Sequence, residues 1–230
     1  MNISHRDWIY LSPHLDDAAL SCGGLIWEQS QAGAQVSVWT LCAGFIPSRP
    51  LSPFAQELHA RWRTGPEAVQ LRREEDHQAA ERLGAASIYL DIPDCIYRFR
   101  RLPEGDLVAR LAQTFRETLP ADTQMVCPMA LGGHVDHRLT RAAAELSGLP
   151  LYFYADYPYV LRSAFELAQM ELGAWKRTPA PVSAPALAAW LEAIADYASQ
   201  LSTFWSGKEE MRLALQNYWA GGGGRLWQRG

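Results

Sequence analysis

The chain has 230 residues, 48% of them hydrophobic and 20% charged, which is enough apolar surface to bury a full core and fold alone. A formal net charge of −4 argues against nucleic-acid binding, which calls for clustered Lys and Arg. No apolar run approaches the roughly 18 residues of a membrane span and Met1–Asp7 holds no apolar signal core, so a cytoplasmic protein with no membrane span is expected.

Trp8-Ile9-Tyr10-Leu11 reads as a first strand. Residues from about Asp17 to Ala32 read as a helix, with Leu20, Gly24, Trp27 and Gln31 on one side and Gly33 as its stop. Gln35 to Leu41 mixes alternation with β-branched residues and is a second strand. Strand, helix and strand in succession make a βαβ unit, whose crossover is almost always right-handed and parallel. Cys42 to Thr64, with Pro47, Pro50 and Pro53, has no strong period; it reads as a loop with one helical turn at most, of a length often given to lids, and its aromatic and proline content suits the substrate end of a cleft. Pro66 to Leu83 is a helix with Pro near its start and Gly84 at its end. Ser87–Leu90 is a third strand, Gly105–Leu119 a helix stopped by Pro120, and Gln124–Cys127 a fourth strand. His137–Leu146 is a helix closed by Gly148, and Leu151–Tyr154 a fifth strand. Met170–Trp175 fits a further strand or the edge of a helix, and Pro179, Pro181 and Pro185 mark a loop. Ala186–Trp205 reads as one helix and Glu209–Trp219 as a shorter one, while Gly221–Gly224 is a turn or connector before a short tail.

This alternation predicts an α/β fold of one domain over residues 1–230: a mostly parallel sheet with helices on both faces, in three α/β/α layers. In such sheets ligands collect beyond the carboxyl ends of the strands. The cysteines Cys22, Cys42, Cys95 and Cys127 form no Cys-x-x-Cys pair, so reduced, buried thiols are expected and a cysteine-built zinc site is not. The aromatic-rich late helices leave room for a homo-oligomer interface.

Two clusters carry chemistry. Pro13-His14-Leu15-Asp16-Asp17 follows the first strand. A neutral imidazole and a carboxylate are ordinary zinc ligands, and a catalytic zinc takes three protein ligands and leaves one position for water. Adjacent carboxylates on a bend can divide the work, one binding metal and the other moving a proton. An Asp before a helix is also a common cap, but a His-x-Asp-Asp with a partner cluster downstream favours the metal. That partner is His134-Val135-Asp136-His137, after the fourth strand and behind Gly132-Gly133, which permit an unusual backbone. One of its histidines can be a ligand and the other can face a substrate carbonyl, with Asp136 holding an imidazole in one tautomer. The first βα turn lacks Gly-x-Gly-x-x-Gly, which argues against dinucleotide binding.

These two segments together resemble the LmbE-like or PIG-L family of metal-dependent N-deacetylases. Weaker matches lie in register: Arg72-x-x-Glu75 before Ala79-Ala80-x-x-Leu83-Gly84, Tyr154-x-Asp156-Tyr157-Pro158-Tyr159, and Tyr197-x-Ser199-Gln200. The resemblance runs from about Trp8 to about Phe204 and implies a Rossmann-like α/β domain that removes acetyl from an N-acetylglucosamine-type sugar. It further implies His14, Asp17 and His137 as zinc ligands and Asp16 as general base. His134 would stabilise the oxyanion with Asp136 orienting it, and Arg72 and Glu75 would stand near the sugar. Leu15 and Val135 stand where the family often has Pro, Ala18 where it often has Glu, and Leu131-Gly132-Gly133 holds no Tyr. The ligand set itself admits Fe2+, Co2+ or Ni2+ beside Zn2+. Hydrolysis of another amide or an ester, and sugar binding without catalysis, are the alternatives.

Overall fold

The computed structural model describes residues 7–98, 104–163, 167–169, 175–178 and 182–229. Seven strands form one sheet in the order β3-β2-β1-β4-β5-β7-β6. They are β1 (Trp8–Ser12), β2 (Val36–Thr40), β3 (Ala86–Tyr89), β4 (Gln124–Pro128), β5 (Leu151–Tyr154), β6 (Trp175–Arg177) and β7 (Leu226–Arg229). The first five are parallel. β7 runs antiparallel to β5 and to β6, so the tail after the glycine run enters the sheet as a strand between β5 and the edge strand β6. The stretch Met170–Ala174 lies outside the described residues, and Trp175 opens β6.

The helices are α1 (Asp17–Gln31), α2 (Pro53–Trp62), α3 (Ala68–Arg82), α4 (Glu104–Thr118), α5 (Val135–Ser147), α6 (Ala184–Asp196), α7 (Leu201–Phe204) and α8 (Lys208–Ala220). Neighbouring side chains on a strand point to opposite faces, and two of them show where the layers lie. Tyr10 of β1 donates to Gln29 of α1 at 2.8 Å. Trp39 of β2, in register with Leu11, packs on Phe115 of α4 with ring centroids 6.3 Å apart. Helices α1, α3 and α6 therefore cover one face, packed against one another, and α4 and α5 the other. Close approach of α1 and α6 depends on Gly23, where an added Cβ would sit 2.5 Å from Trp190 Cδ1. The Trp190 indole is fully buried there and donates to Ala19 O at 2.6 Å.

Two expected elements differ. The Cys42–Thr64 segment contains a full helix, α2, with Ser52 accepting from Ala55 N and Pro53 in the first turn. That Ser-Pro start is an ordinary helix signal, and weak periodicity hid it. The single helix expected over Ala186–Trp205 is broken after Asp196. Tyr197 donates to Asp76 Oδ1 at 2.8 Å and Ser199 N to Glu75 Oε1 at 2.8 Å, and these bonds to α3 pull the chain out of helical geometry.

Candidate active site

The sheet order reverses between β1 and β4, which puts a topological switch point between those two strands. Both motif clusters leave the carboxyl ends of these neighbours. After β1, Ser12 Oγ donates to His14 O at 2.6 Å and accepts from Ala18 N at 3.0 Å, tightening the turn into α1. Asp16 in that turn has φ 143° and ψ −30°, a conformation that non-glycine residues adopt at a cost of about 1–3 kcal/mol and keep mostly at functional sites. After β4, Ala130, Gly132 and Gly133 all have positive φ and swing the chain to His134. The His134 side chain caps α5, its Nδ1 accepting from Asp136 N at 3.3 Å.

Asp17 lies between two imidazoles. Its Oδ2 is 3.0 Å from His14 Nδ1 and 3.3 Å from His137 Nε2, and the two rings are 5.4 Å apart. The far nitrogen of each ring meets another carboxylate: His14 Nε2 meets Asp136 Oδ2 at 3.1 Å, and His137 Nδ1 meets Asp156 Oδ1 at 2.6 Å. Such pairs fix the tautomer and aim the opposite nitrogen's lone pair inward. Zinc bonds to N and O of about 2.0–2.2 Å in a tetrahedron put neighbouring ligand atoms roughly 3.3 Å apart. The two edges through Asp17 have that length. Among the described residues, the ligand atoms that lie within 4.8 Å of one another around both imidazoles are those of His14, His134 and His137, so His134 stands as close to a candidate metal position as Asp17 does.

The electrostatics separate the adjacent carboxylates. Burial, then the charge of Asp17, pushes the Asp16 carboxyl up to about 7, only partly offset by Arg72. Burial would raise Asp17 too, but the His137 and His14 imidazoles hold it well below the usual carboxylate range. Burial disfavours a charged His137, yet Asp17 and Asp156 lift it to about 9. His14 is likewise raised against burial, by Asp94, Asp136 and Asp17. His134 is lowered by burial and by its two histidine neighbours. With Nδ1 accepting from a backbone N–H, a neutral His134 carries its proton on Nε2 and is a hydrogen-bond donor without being charged. Paired carboxyls driven apart in this way mark an acid/base site.

The structure gathers His14, Asp16, Asp17, His134, Asp136 and His137 as the sequence suggests, with one change of partner. The Asp136 carboxylate bonds to His14 Nε2, accepts from Cys95 N at 3.0 Å and pairs with Arg98. It meets His134 only through its own backbone N–H. Arg72 stands beside Asp16, NH2 to Oδ2 3.7 Å, and donates to Leu15 O at 3.1 Å. Glu75 is directed elsewhere: Ser199 N and Oγ donate to its two oxygens at 2.8 and 2.6 Å. Asp94, Cys95 and Arg98, from the segment after β3, were not singled out by any motif; their position beyond a parallel strand's carboxyl end was the available signal. Tyr159 faces His137 with ring centroids 5.4 Å apart and covers Gly132, where a Cβ would lie 2.5 Å from Tyr159 Cδ1.

Known proteins resemble this chain in sequence and in fold. The chain is similar to a 2'-N-acetylparomamine deacetylase of Niallia circulans, 29% identical over an alignment of 192 residues, with 69% of this chain and 70% of that protein covered. The zinc-inhibited form of the teicoplanin deacetylase Orf2 superposes with a TM-score of 0.78 at 28% identity, covering 97% of this chain and 98% of the other. The A40926 pseudoaglycone deacetylase Dbv21 gives 0.77 at 30% identity, covering 96% and 97%. The family model for PIG-L, GlcNAc-PI de-N-acetylase, matches residues 9–146, from β1 to the end of α5 and so across both clusters. The chain belongs to the PIG-L family of N-deacetylases and is a hydrolase of that family.

Proposed function

We propose that this chain is a zinc-dependent enzyme that removes the acetyl group from the amine of an N-acetylglucosamine-type sugar within a larger glycoconjugate, and that one domain over residues 1–230 carries the activity. The observation that carries the reading is the Asp17 carboxylate set between His14 and His137 with the raised carboxyl of Asp16 next to it. Relatives named for acetylated antibiotic intermediates support a sugar-bearing substrate. Four free cysteines, Cys22, Cys42 and Cys127 buried and Cys95 half-buried, suit a reducing compartment and hence the cytoplasm.

In this reading His14, Asp17 and His137 hold the ion. When bound, zinc supplies Lewis acidity to the acetyl carbonyl and eases deprotonation of water. Asp16, ionised near neutral pH, takes a proton from the attacking water and passes it to the leaving amine. His134 donates its Nε2–H to the oxygen that gains negative charge at the acyl carbon. Asp136 and Asp156 keep the His14 and His137 rings oriented. Arg72 tempers the Asp16 carboxyl and steadies the turn that presents it. The balance is simple hydrolysis: the C–N bond breaks, a C–O bond forms, and water divides between acetate and amine.

The test is acetate release from N-acetylglucosamine derivatives by the zinc-loaded enzyme with and without a chelator. Release that stops on chelation and returns with zinc is expected. Chelator-resistant release, or cleavage of acetyl esters with the matched amides untouched, contradicts the proposal.

A further inference from the structure

A cavity of about 230 Å³ lies between the turn Tyr159–Arg162 and the glycine run that leads into β7. Tyr154, the last residue of β5, is in register with Leu226, the first of β7. Residues that follow β5 and residues that precede β7 therefore meet beyond the carboxyl ends of the parallel strands, at the same end of the sheet as the active site. The stretch from Asp156 to Tyr159 divides the two. Ala155 and Val160 line the cavity, while Asp156 Oδ1 meets His137 Nδ1 at 2.6 Å and the Tyr159 ring stands 5.4 Å from the His137 ring. Burial, then the charges of Asp17 and Asp16, push the Tyr159 phenol up, so that ring borders the acid/base carboxylate as well.

Among the described residues that line this cavity there is no Asp or Glu, and two are arginines. The Arg177 guanidinium lies 4.8 Å over the Trp227 ring. A Cβ at Gly222, which has φ 84°, would sit 3.2 Å from Arg177 Nη1, so the glycine is what lets the guanidinium come this close to the turn. Arg225 is half-buried and meets no carboxylate among the described residues. Other arginines of the chain are paired: Arg98 with Asp136, Arg141 and Arg229 with Glu145, Arg212 with Glu192. Acidic residues outnumber basic ones, 25 to 21, so an acid-free wall with two arginines does not follow from composition. A half-buried arginine gives up part of its water, and an arriving anion supplies charge-assisted hydrogen bonds in its place. The planar fork matches the oxygens of a carboxylate or a phosphate. Val160, Leu161 and Trp227 supply apolar wall for the carbon stem that carries such a group.

We infer that this cavity binds a carboxylate or phosphate group carried on the aglycone of the substrate, so that the enzyme selects N-acetyl amino sugars joined to an anionic conjugate. The inference rests on the deacetylase reading above. There the leaving nitrogen stands beside Asp16 and the carbonyl oxygen faces His134, which leaves the Tyr159 side of the site for the rest of the sugar. The glycosidic linkage passes over the Tyr159 ring, and the cavity lies beyond it. The same two arginines repel a cationic conjugate, so selection works by rejection as well as by attraction. Because the attraction is between charges near the surface, salt weakens it.

The experiment uses the zinc-loaded full chain and N-acetylglucosamine glycosides whose alkyl aglycones, of graded length, end in carboxylate, phosphate monoester, hydroxyl or trimethylammonium. At the length that reaches the cavity, an anionic end raises kcat/KM about tenfold over the hydroxyl end, chiefly through KM, and added salt shrinks the gain. The ammonium end lowers kcat/KM. Whichever of carboxylate and phosphate gains more identifies the group. In Arg225→Gln the anionic-to-hydroxyl ratio falls about tenfold, the scale of a charge-assisted hydrogen bond. In Asn217→Asp, an exposed position in the last turn of α8 that lines the cavity, the ratio falls as well, because the wall now carries a carboxylate of its own. Calorimetry gives a second readout: the deacetylated product with an anionic end binds more tightly than its hydroxyl counterpart, and Arg225→Gln erases the difference. Equal kcat/KM for all four ends at every length, a preference for the ammonium end, or an anionic preference that neither variant moves overturns the inference and leaves the deacetylase reading standing. Failure to cleave any glycoside of the set removes that reading as well.

Discussion

Glu75 offers a sharp test of what the buried polar residues of α3 do. It is 7% exposed, and its two oxygens accept from Ser199 N and Ser199 Oγ at 2.8 and 2.6 Å. Hydrogen bonds to a charged group contribute about 1.5–3 kcal/mol each, so Glu75→Ala, which removes both and strands the Ser199 amide, costs about 3–5 kcal/mol. That is a large share of a typical total of about 5–15 kcal/mol. Ser199→Ala removes one of the two and costs about 1.5–3 kcal/mol, and the double mutant loses less than the sum because the residues share the bond. Urea unfolding followed by tryptophan fluorescence measures this, with an unchanged slope and a lowered midpoint as the expected signature. A Glu75→Ala protein that unfolds at the wild-type midpoint while its KM rises would refute the reasoning and return Glu75 to the sugar site.

Asp16→Asn keeps the ligand set intact, so elemental analysis still finds stoichiometric zinc while kcat falls about 10²–10⁴-fold; wild-type turnover would remove Asp16 as the base. Asp136→Asn weakens the carboxylate that orients His14, and zinc affinity measured by competition with a chelator drops about 10–100-fold; an unchanged affinity would deny Asp136 that role. Burial pushes the Asp76 carboxyl up to about 6, and its Oδ2 lacks a hydrogen-bond partner. The folded chain therefore keeps a proton that the unfolded chain gives up near pH 4, and stability falls by about 3 kcal/mol as pH rises from about 4 to about 6. Asp76→Asn flattens that part of the profile in unfolding experiments at several pH values, and a retained slope would assign it to another group.

The parallel core was legible because each of its five strands is a short apolar run between a helix and a turn signal, from Trp8-Ile9-Tyr10-Leu11 to Leu151-Tyr152-Phe153-Tyr154. The clusters around Asp17 and His137 were legible for the same reason, since chain order places both beyond strand ends. β7 was hidden because Leu226-Trp227-Gln228-Arg229 has no local signal beyond the glycines before it; pairing with β5 and β6 makes it a strand. The break after Asp196 was hidden because Tyr197 and Ser199 leave the helix to reach Asp76 and Glu75, contacts far apart in sequence. That Asp136 pairs with an imidazole was legible, whereas its choice of His14 over His134 depends on α5 packing beside the β1 turn, a tertiary fact.

The central claim concerns one ion held by residues from the ends of two neighbouring strands. A crystal of the zinc-loaded protein, with anomalous diffraction recorded on both sides of the zinc absorption edge, locates that ion directly. The account predicts a single strong peak at about 2.0–2.2 Å from His14 Nδ1, an Asp17 carboxylate oxygen and His137 Nε2. Zinc seated on other residues, with these three still bonded only to one another, would contradict it.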